Sequence, residues 1–249
     1  MGQSVLAVFA HPDDESLSAG GLLARHAAEG ATTTVLTATW AAGTTRTREL
    51  AEATSVLGAG EPRLLGYADA RAPGSAPGRE RLLDAPMDEI VASIVAHVRE
   101  LRPQLVVTHD AYGGATGHPD HVRTHDGTVR AVQEAGDARQ HPDGGPPWTP
   151  CALLLATHPH SARQLLADSI GARKALHTTA DDQAERVDVT PWLDQKVAAI
   201  LSHRAEVERG ALPGQVAAMT ADRRRSLLGT EWYVRTRLAG PDSTRHERP

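Results

Sequence analysis

Four short runs constrain this chain more than any other feature: SVLAVFA (4–10), TTTVLTAT (32–39), QLVVTH (104–109) and ALLLAT (152–157). A strand with one wet face alternates apolar with polar residues, whereas an unbroken apolar or β-branched run marks a strand covered on both faces. Stretches with helical spacing separate these runs. The clearest spans Met87–Leu101, where Ile90, Val91, Ile94, Val95 and Val98 form one stripe. Others are expected over 19–30, 47–57 (stopped by Gly58), Pro119–Ala135 and 190–209, the last opened by Thr190-Pro191 as N-cap and first helical residue. Arg63–Tyr67 reads as a further short strand. Strand–helix alternation of this kind predicts an α/β fold: a Rossmann-like, mostly parallel sheet with helices on both faces. The C-terminal third is expected to add further strands and helices. Residues 1–239 read as a single domain, and 240–249, with no apolar pattern, as a mobile tail.

Composition narrows the classes. Apolar residues make up 40% and charged residues 23% of the 249, which excludes wholesale disorder. Lys and Arg number 26 against 31 Asp and Glu, a net charge of −5, whereas a dedicated nucleic-acid binder carries a basic surplus. Cys151 is the single cysteine, so no internal disulfide forms. The first apolar run has no basic flank and meets an acidic cluster too soon to be a secretory or spanning segment. A soluble, cytoplasmic protein without membrane partners is expected. Only one Phe, three Tyr and four Trp are present, so Ala, Val and Leu must build the core.

In parallel sheets, ligands bind beyond the carboxyl ends of the strands. There, directly after the first run, stands His11-Pro12-Asp13-Asp14-Glu15. Pro12 ends the strand, and two adjacent carboxylates are costly to desolvate without a neutralising cation. Taken alone, the segment reads equally as a polar turn entering a helix, or as a magnesium site for phosphoryl transfer. His118-Pro119-Asp120-His121 follows the 104–109 strand at a helix start, where positions i and i+3 share a face. Together the two segments offer imidazole, carboxylate and imidazole, a set that suits zinc better than magnesium. Three protein ligands leave a position open for water. A magnesium phosphatase would leave HPDH without a role.

These residues resemble the PIG-L/LmbE-like family of zinc-dependent N-deacetylases. AHPDDE (10–15) and HPDH (118–121) correspond to its two signature motifs. Looser matches are TATWAAGT (37–44), Arg46-x-x-Glu49 leading to Leu57-Gly58, and LLGYAD ending at Asp69. The likeness runs from Val5 to His121; beyond that only the general layout matches. It implies removal of an N-acetyl group from a GlcNAc-type sugar conjugate, a small molecule, releasing acetate and a free amine. By the same resemblance His11, Asp14 and His121 would hold Zn2+, or Fe2+ in its place, and Asp13 would be the general base. His118, protonated, would stabilise the oxyanion or deliver a proton to the amine. Asp120 would orient a histidine, and Arg46 and Asp69 would contact the sugar. Where family members carry a tyrosine two residues before HPDH, this chain has Thr116, with Tyr112 further upstream.

Two other readings use the same residues: an amidase acting on a thiol conjugate, and a non-catalytic carbohydrate-binding homologue. Substrate selection is expected from the loops at 70–86 and 136–150, with Trp148 and Trp40 as candidates for stacking on a sugar.

Overall fold

The computed structural model describes residues 2–170 and 176–239. The proposed tail, 240–249, lies outside the described residues. Five strands pair in parallel: β1 (Val5–Phe9), β2 (Thr33–Thr39), β3 (Arg63–Tyr67), β4 (Leu105–His109) and β5 (Ala152–Thr157). Two more, β6 (Glu185–Asp188) and β7 (Thr230–Arg237), extend the sheet antiparallel, giving the order β3-β2-β1-β4-β5-β7-β6. The fold is the expected α/β class, a mixed and mostly parallel sheet between helices.

Both faces of β1 are dry. Val5, Ala7 and Phe9 point to one layer with Leu22, Leu23, Leu50 and Leu57, supplied by α1 (Asp14–Ala28) and by α2 (Thr45–Val56) with its end. Leu6 and Val8 point to the other, against Ile90, Ile94 and Ala131 from α3 (Met87–Leu101) and α4 (Pro119–Ala135). This two-sided burial is why the strands read as unbroken apolar runs.

The chain order reverses at β1, whose neighbours are β2 and β4. The crevice beyond the carboxyl ends of β1 and β4 is therefore the topological switch point. It receives HPDDE from β1 and HPDH from the turn after β4.

Beyond β5 come α5 (Arg163–Ile170), α6 (Leu193–Ser202), α7 (Arg204–Glu208), α8 (Leu212–Ala218) and α9 (Ala221–Leu228). The helix expected over 190–209 is thus interrupted. A 3₁₀ turn, Thr190–Trp192, precedes α6, and His203 (φ −79°, ψ 65°) leaves helical geometry to separate α6 from α7. The break turns the His203 ring onto Glu15 at the base of the crevice.

The 136–150 loop requires a second correction. It joins the end of α4 to the start of β5, which puts it at the amino-terminal edge of the parallel strands, away from the crevice. The Arg99 guanidinium nails it down, donating to carbonyls of Glu134, Ala135, Asp137, Gln140, His141 and Gly145. Trp148 anchors this loop. Its indole N–H donates to the Pro103 carbonyl at 2.8 Å, and its ring packs on the core rather than facing a ligand.

Candidate active site

The first strand ends at Phe9, and the next five side chains spread around the crevice. His11 and Asp14 are buried at 7% and 8% exposure, and Asp120 is fully buried beneath them. Three ligand atoms converge. His11 Nδ1 lies 3.1 Å from His121 Nε2 and 3.3 Å from Asp14 Oδ2, and His121 Nε2 lies 3.3 Å from the same oxygen. For bond lengths typical of tetrahedral zinc, ligand atoms sit about 3.3 Å apart. The triangle fits a small cation held by two imidazoles and a carboxylate.

The remaining ring nitrogens are fixed so that these lone pairs face inward. His11 Nε2 meets the Asp120 carboxylate at 3.1 Å, and Asp120 is itself steadied by the Ala70 N–H at 2.9 Å. His121 Nδ1 meets the Gly113 carbonyl at 3.2 Å. Gly113 has φ +84°, and a Cβ there would come within 2.8 Å of Val122 Cγ2 and 2.9 Å of the His118 carbonyl. Only glycine lets the β4–α4 turn close over the helix start and present that oxygen. Such outer contacts set the tautomer and orientation of metal-binding imidazoles.

Without a cation the cluster is polarised. Burial works against a charged His11, but its bonds to Asp120 and Asp14 win, raising its pKa to about 10. Burial likewise opposes ionisation of Asp14, yet the surrounding imidazoles of His121, His109 and His11 hold its carboxyl well below the ordinary range. The side chains here form groups whose ligand atoms could hold a metal ion: His11 with His118 and His121, His11 with Asp69, His118 and Asp120, and Asp14 with His109 and His121.

His109 approaches the same atoms, with Nε2 3.5 Å from Asp14 Oδ2 and its ring stacked on His121 at 3.9 Å. It is not equivalent to the other two. The Ala10 N–H donates to His109 Nε2 at 3.2 Å, so that lone pair is engaged, and burial lowers its pKa to about 4. Its ligand atom still groups with those of Asp14 and His121, but with that lone pair occupied it is the weaker candidate of the three histidines.

Asp13 adopts φ +121°, an uncommon conformation for a residue with a Cβ. Its neighbours hold it there. Its N–H donates to Glu15 Oε2 at 3.0 Å, and Arg46 donates both to Asp13 Oδ1 at 3.2 Å and to the Pro12 carbonyl. Glu15 is anchored by Ser16 Oγ at 2.6 Å and by His203 Nε2 at 2.8 Å. Burial raises the Asp13 pKa most strongly; the Arg46 charge draws it back, leaving it near about 7. That value suits a group exchanging protons at neutral pH.

His118 is the N-cap of α4, its Nδ1 accepting the Asp120 N–H at 3.2 Å. The ring proton therefore sits on Nε2. Burial, followed by the neighbouring His11, lowers its pKa to about 4. With Nδ1 occupied as an acceptor, the Nε2–H is the group this ring has free to donate.

His11, Asp13, Asp14, Arg46, His118 and His121 all border one cleft of about 600 Å³, as does Asp69. Arg46 and Asp69 stand in its wall but are engaged internally. Arg46 stacks on Trp40 at 4.6 Å and pairs with Glu206 at 3.3 Å, while Asp69 Oδ1 accepts the N–H groups of Arg71 and Ala72. Trp40 reaches the cleft; Trp148 does not. Thr116 lines it where a tyrosine was in question, and Tyr112, half exposed, stacks on His177 at 3.9 Å. Glu206, Arg209 and Gln215, unforeseen from the sequence, complete the rim from α7 and the segment leading through α8.

Fold and cleft define the class: a Rossmann-like α/β protein with a His/Asp metal-type centre at its switch point. The sequence profile of the PIG-L family, described as GlcNAc-PI de-N-acetylase, matches residues 6–132, and the chain belongs to that family. It is 38% identical over 271 aligned positions to the 1D-myo-inositol 2-acetamido-2-deoxy-alpha-D-glucopyranoside deacetylase of Rhodococcus jostii (strain RHA1), covering 94% of this chain and 92% of that one. Among solved structures, the conserved protein TT1542 from Thermus thermophilus superposes with a TM-score of 0.66 at 29% identity, over 93% and 94% of the two chains. The N,N'-diacetylchitobiose deacetylase of Pyrococcus horikoshii has the same TM-score at 18% identity, covering 97% and 88%, which shows a shared fold. Among the described residues, no helix is long and apolar enough to cross a membrane.

Proposed function

We propose that this protein is a metal-dependent N-deacetylase that hydrolyses the acetamide of a GlcNAc-type sugar joined to a small aglycone such as an inositol, releasing acetate and a free amine. One observation carries the reading: the lone pairs of His11 and His121 converge with the Asp14 carboxylate, and the Asp13 carboxyl borders the same cleft. The similarity to inositol-linked GlcNAc deacetylases along nearly the whole chain supports the substrate class.

His11 Nδ1, His121 Nε2 and Asp14 Oδ2 would hold the cation, zinc by the nature of the donors, with iron(II) as an alternative. A bound cation polarises the amide carbonyl and acidifies water. Asp13 takes the proton from the attacking water, its carboxylate kept available by Arg46. His118 donates its Nε2–H toward the carbonyl oxygen as negative charge builds there, a role that needs no imidazolium. The proton gathered by Asp13 is then delivered to the departing nitrogen, which leaves as the amine. Gln215 Oε1, buried and without a hydrogen-bond partner among the described residues, is an acceptor for a sugar hydroxyl in the same cleft.

Acetate release from a panel of N-acetylated aminosugars and their inositol conjugates tests the assignment. Metal-dependent release, highest for an inositol conjugate, is expected; full metal loading with no acetate from any member would exclude it.

A further inference from the structure

A second, smaller cavity meets the cleft at the metal-type centre. It has a volume of about 170 Å³, and Asp14, His121, Thr116 and Leu212 border both spaces. Their chemistry differs. The cleft is walled by Asp69, Arg71, Glu206, Arg209 and Gln215, whereas the inner chamber is lined mainly by Leu17, Leu166, Leu212, Leu227, Leu228 and Trp232, with Ser18, Thr157, His158 and Thr230 between them. Lys196 and Glu231 also line it and are paired to each other at 2.7 Å.

An amide held at the ligand triangle has two unlike halves. The amine half carries the hydroxylated sugar, and the acyl half is a hydrocarbon. The polar cleft suits the first and the leucine-lined chamber the second. A single acetyl methyl leaves most of that chamber unfilled: a cavity of about 150 Å³ lined by apolar side chains accommodates a six-carbon ring.

Resting on the deacetylase reading, we infer that the inner chamber is an acyl pocket, and that this enzyme accepts N-acyl aminosugars with chains of up to about six carbons. The reaction is unchanged in its balance. Water adds to the acyl carbon, the C–N bond breaks, the amine leaves with a proton, and a fatty carboxylate replaces acetate. Burial of each added methylene is worth a factor of about three to four in affinity where it fits. Cleavage therefore strengthens from acetyl to butanoyl and hexanoyl and falls once the chain exceeds the chamber.

The test is amine release from N-acetyl-, N-butanoyl-, N-hexanoyl- and N-decanoyl-glucosaminyl inositol by the metal-loaded protein, with Leu227→Phe as the narrowing variant. Leu227 is half buried on α9 and belongs to none of the reacting groups. The wild type should cleave the hexanoyl substrate with a kcat/KM at least tenfold above acetyl. Leu227→Phe should remove that advantage, bringing hexanoyl cleavage down to or below that of acetyl. Leu166→Phe, from α5 on another wall, repeats the narrowing should the first variant fold poorly. Calorimetric titration with the free products gives a readout independent of turnover, with hexanoate expected to bind at least tenfold more tightly than acetate. Acetyl cleavage with a steady decline at every added carbon, and equal binding of the two carboxylates, would overturn the acyl pocket alone. Failure to cleave any amide in the series would overturn the deacetylase reading with it.

Discussion

The backbone N–H of Asp13 donates to the carboxylate of Glu15 two residues on, at 3.0 Å, and this bond fixes Asp13 at φ +121°. A non-glycine residue held in so sparse a region costs of order 1–3 kcal/mol and persists only when its surroundings over-determine it. Here the surroundings are Glu15, Arg46 and, one step further, His203.

Loss of the Glu15 carboxylate should therefore release Asp13 from its position. Glu15→Ala is expected to lower kcat by about a hundredfold, the cost of a misplacement near 1 Å. Metal content should be unchanged, because Glu15 is not among the ligands. Glu15→Gln, which keeps an acceptor for the Asp13 N–H, should recover much of the loss. An alanine variant with normal kcat would show that the strained geometry has no bearing on turnover.

Arg46 sets the proton affinity of Asp13. Burial raises the Asp13 pKa and the Arg46 guanidinium lowers it, with Asp14 and Glu206 pushing it up again. A base must be unprotonated, so activity falls as pH drops through this pKa. A bound cation lowers it in wild type and variant alike, so the difference between the two isolates Arg46. Arg46→Gln removes the positive charge beside Asp13 and leaves Glu206 with Arg209 as its remaining partner, so the acid limb of kcat/KM should move upward by about one pH unit or more. A limb that stays in place would assign it to another group.

Asp120 acts through His11. Its carboxylate holds the His11 ring by Nε2 and leaves Nδ1 directed at the cluster. Asp120→Ala should weaken metal binding by about 10- to 100-fold, as loss of an outer partner does elsewhere. Competition with a chelator measures this directly, and an unchanged affinity would show that His11 is oriented instead by Asp69, whose Oδ2 lies 3.3 Å from the same Nε2.

Lys196 and Glu231 form a pair buried to 1% and 4% exposure. Glu231 also accepts the N–H groups of Gly21 and Leu22 in α1 and the hydroxyl of Tyr233. Glu231→Ala strands the ammonium and loosens α1 against β7, with an expected stability loss of about 3–5 kcal/mol in denaturant unfolding. The double variant Lys196→Met/Glu231→Gln should recover part of that loss. A loss below about 1 kcal/mol for Glu231→Ala would mean that water reaches the pair.

Most of the crevice was legible before the structure because its ingredients are local. Buried parallel strands and the Met87–Leu101 helix carry their own periodicity, and two motifs at strand ends must meet wherever a parallel sheet changes direction. The missing parts are those decided by distant partners. His203 interrupts a helix-like stretch because of Glu15, which lies 188 positions away. Strand β7 hides its pattern by burying Glu231, a charge no strand signal favours, against Lys196. The 136–150 loop was misplaced for a simpler reason: a segment that follows a helix and precedes a parallel strand lies at the opposite end from the ligands, as connectivity alone requires.

Metal content and acetate release, measured on the same preparations of wild type, Asp13→Ala and His121→Ala, separate the role of the base from that of a ligand. Wild type should carry about one tightly bound ion per chain and release acetate. Asp13→Ala should keep the ion and lose turnover by about 10²- to 10⁴-fold. His121→Ala should lose both. Normal turnover in Asp13→Ala with metal bound, or a full complement of tightly held metal in His121→Ala, would contradict the arrangement of base and ligands described above.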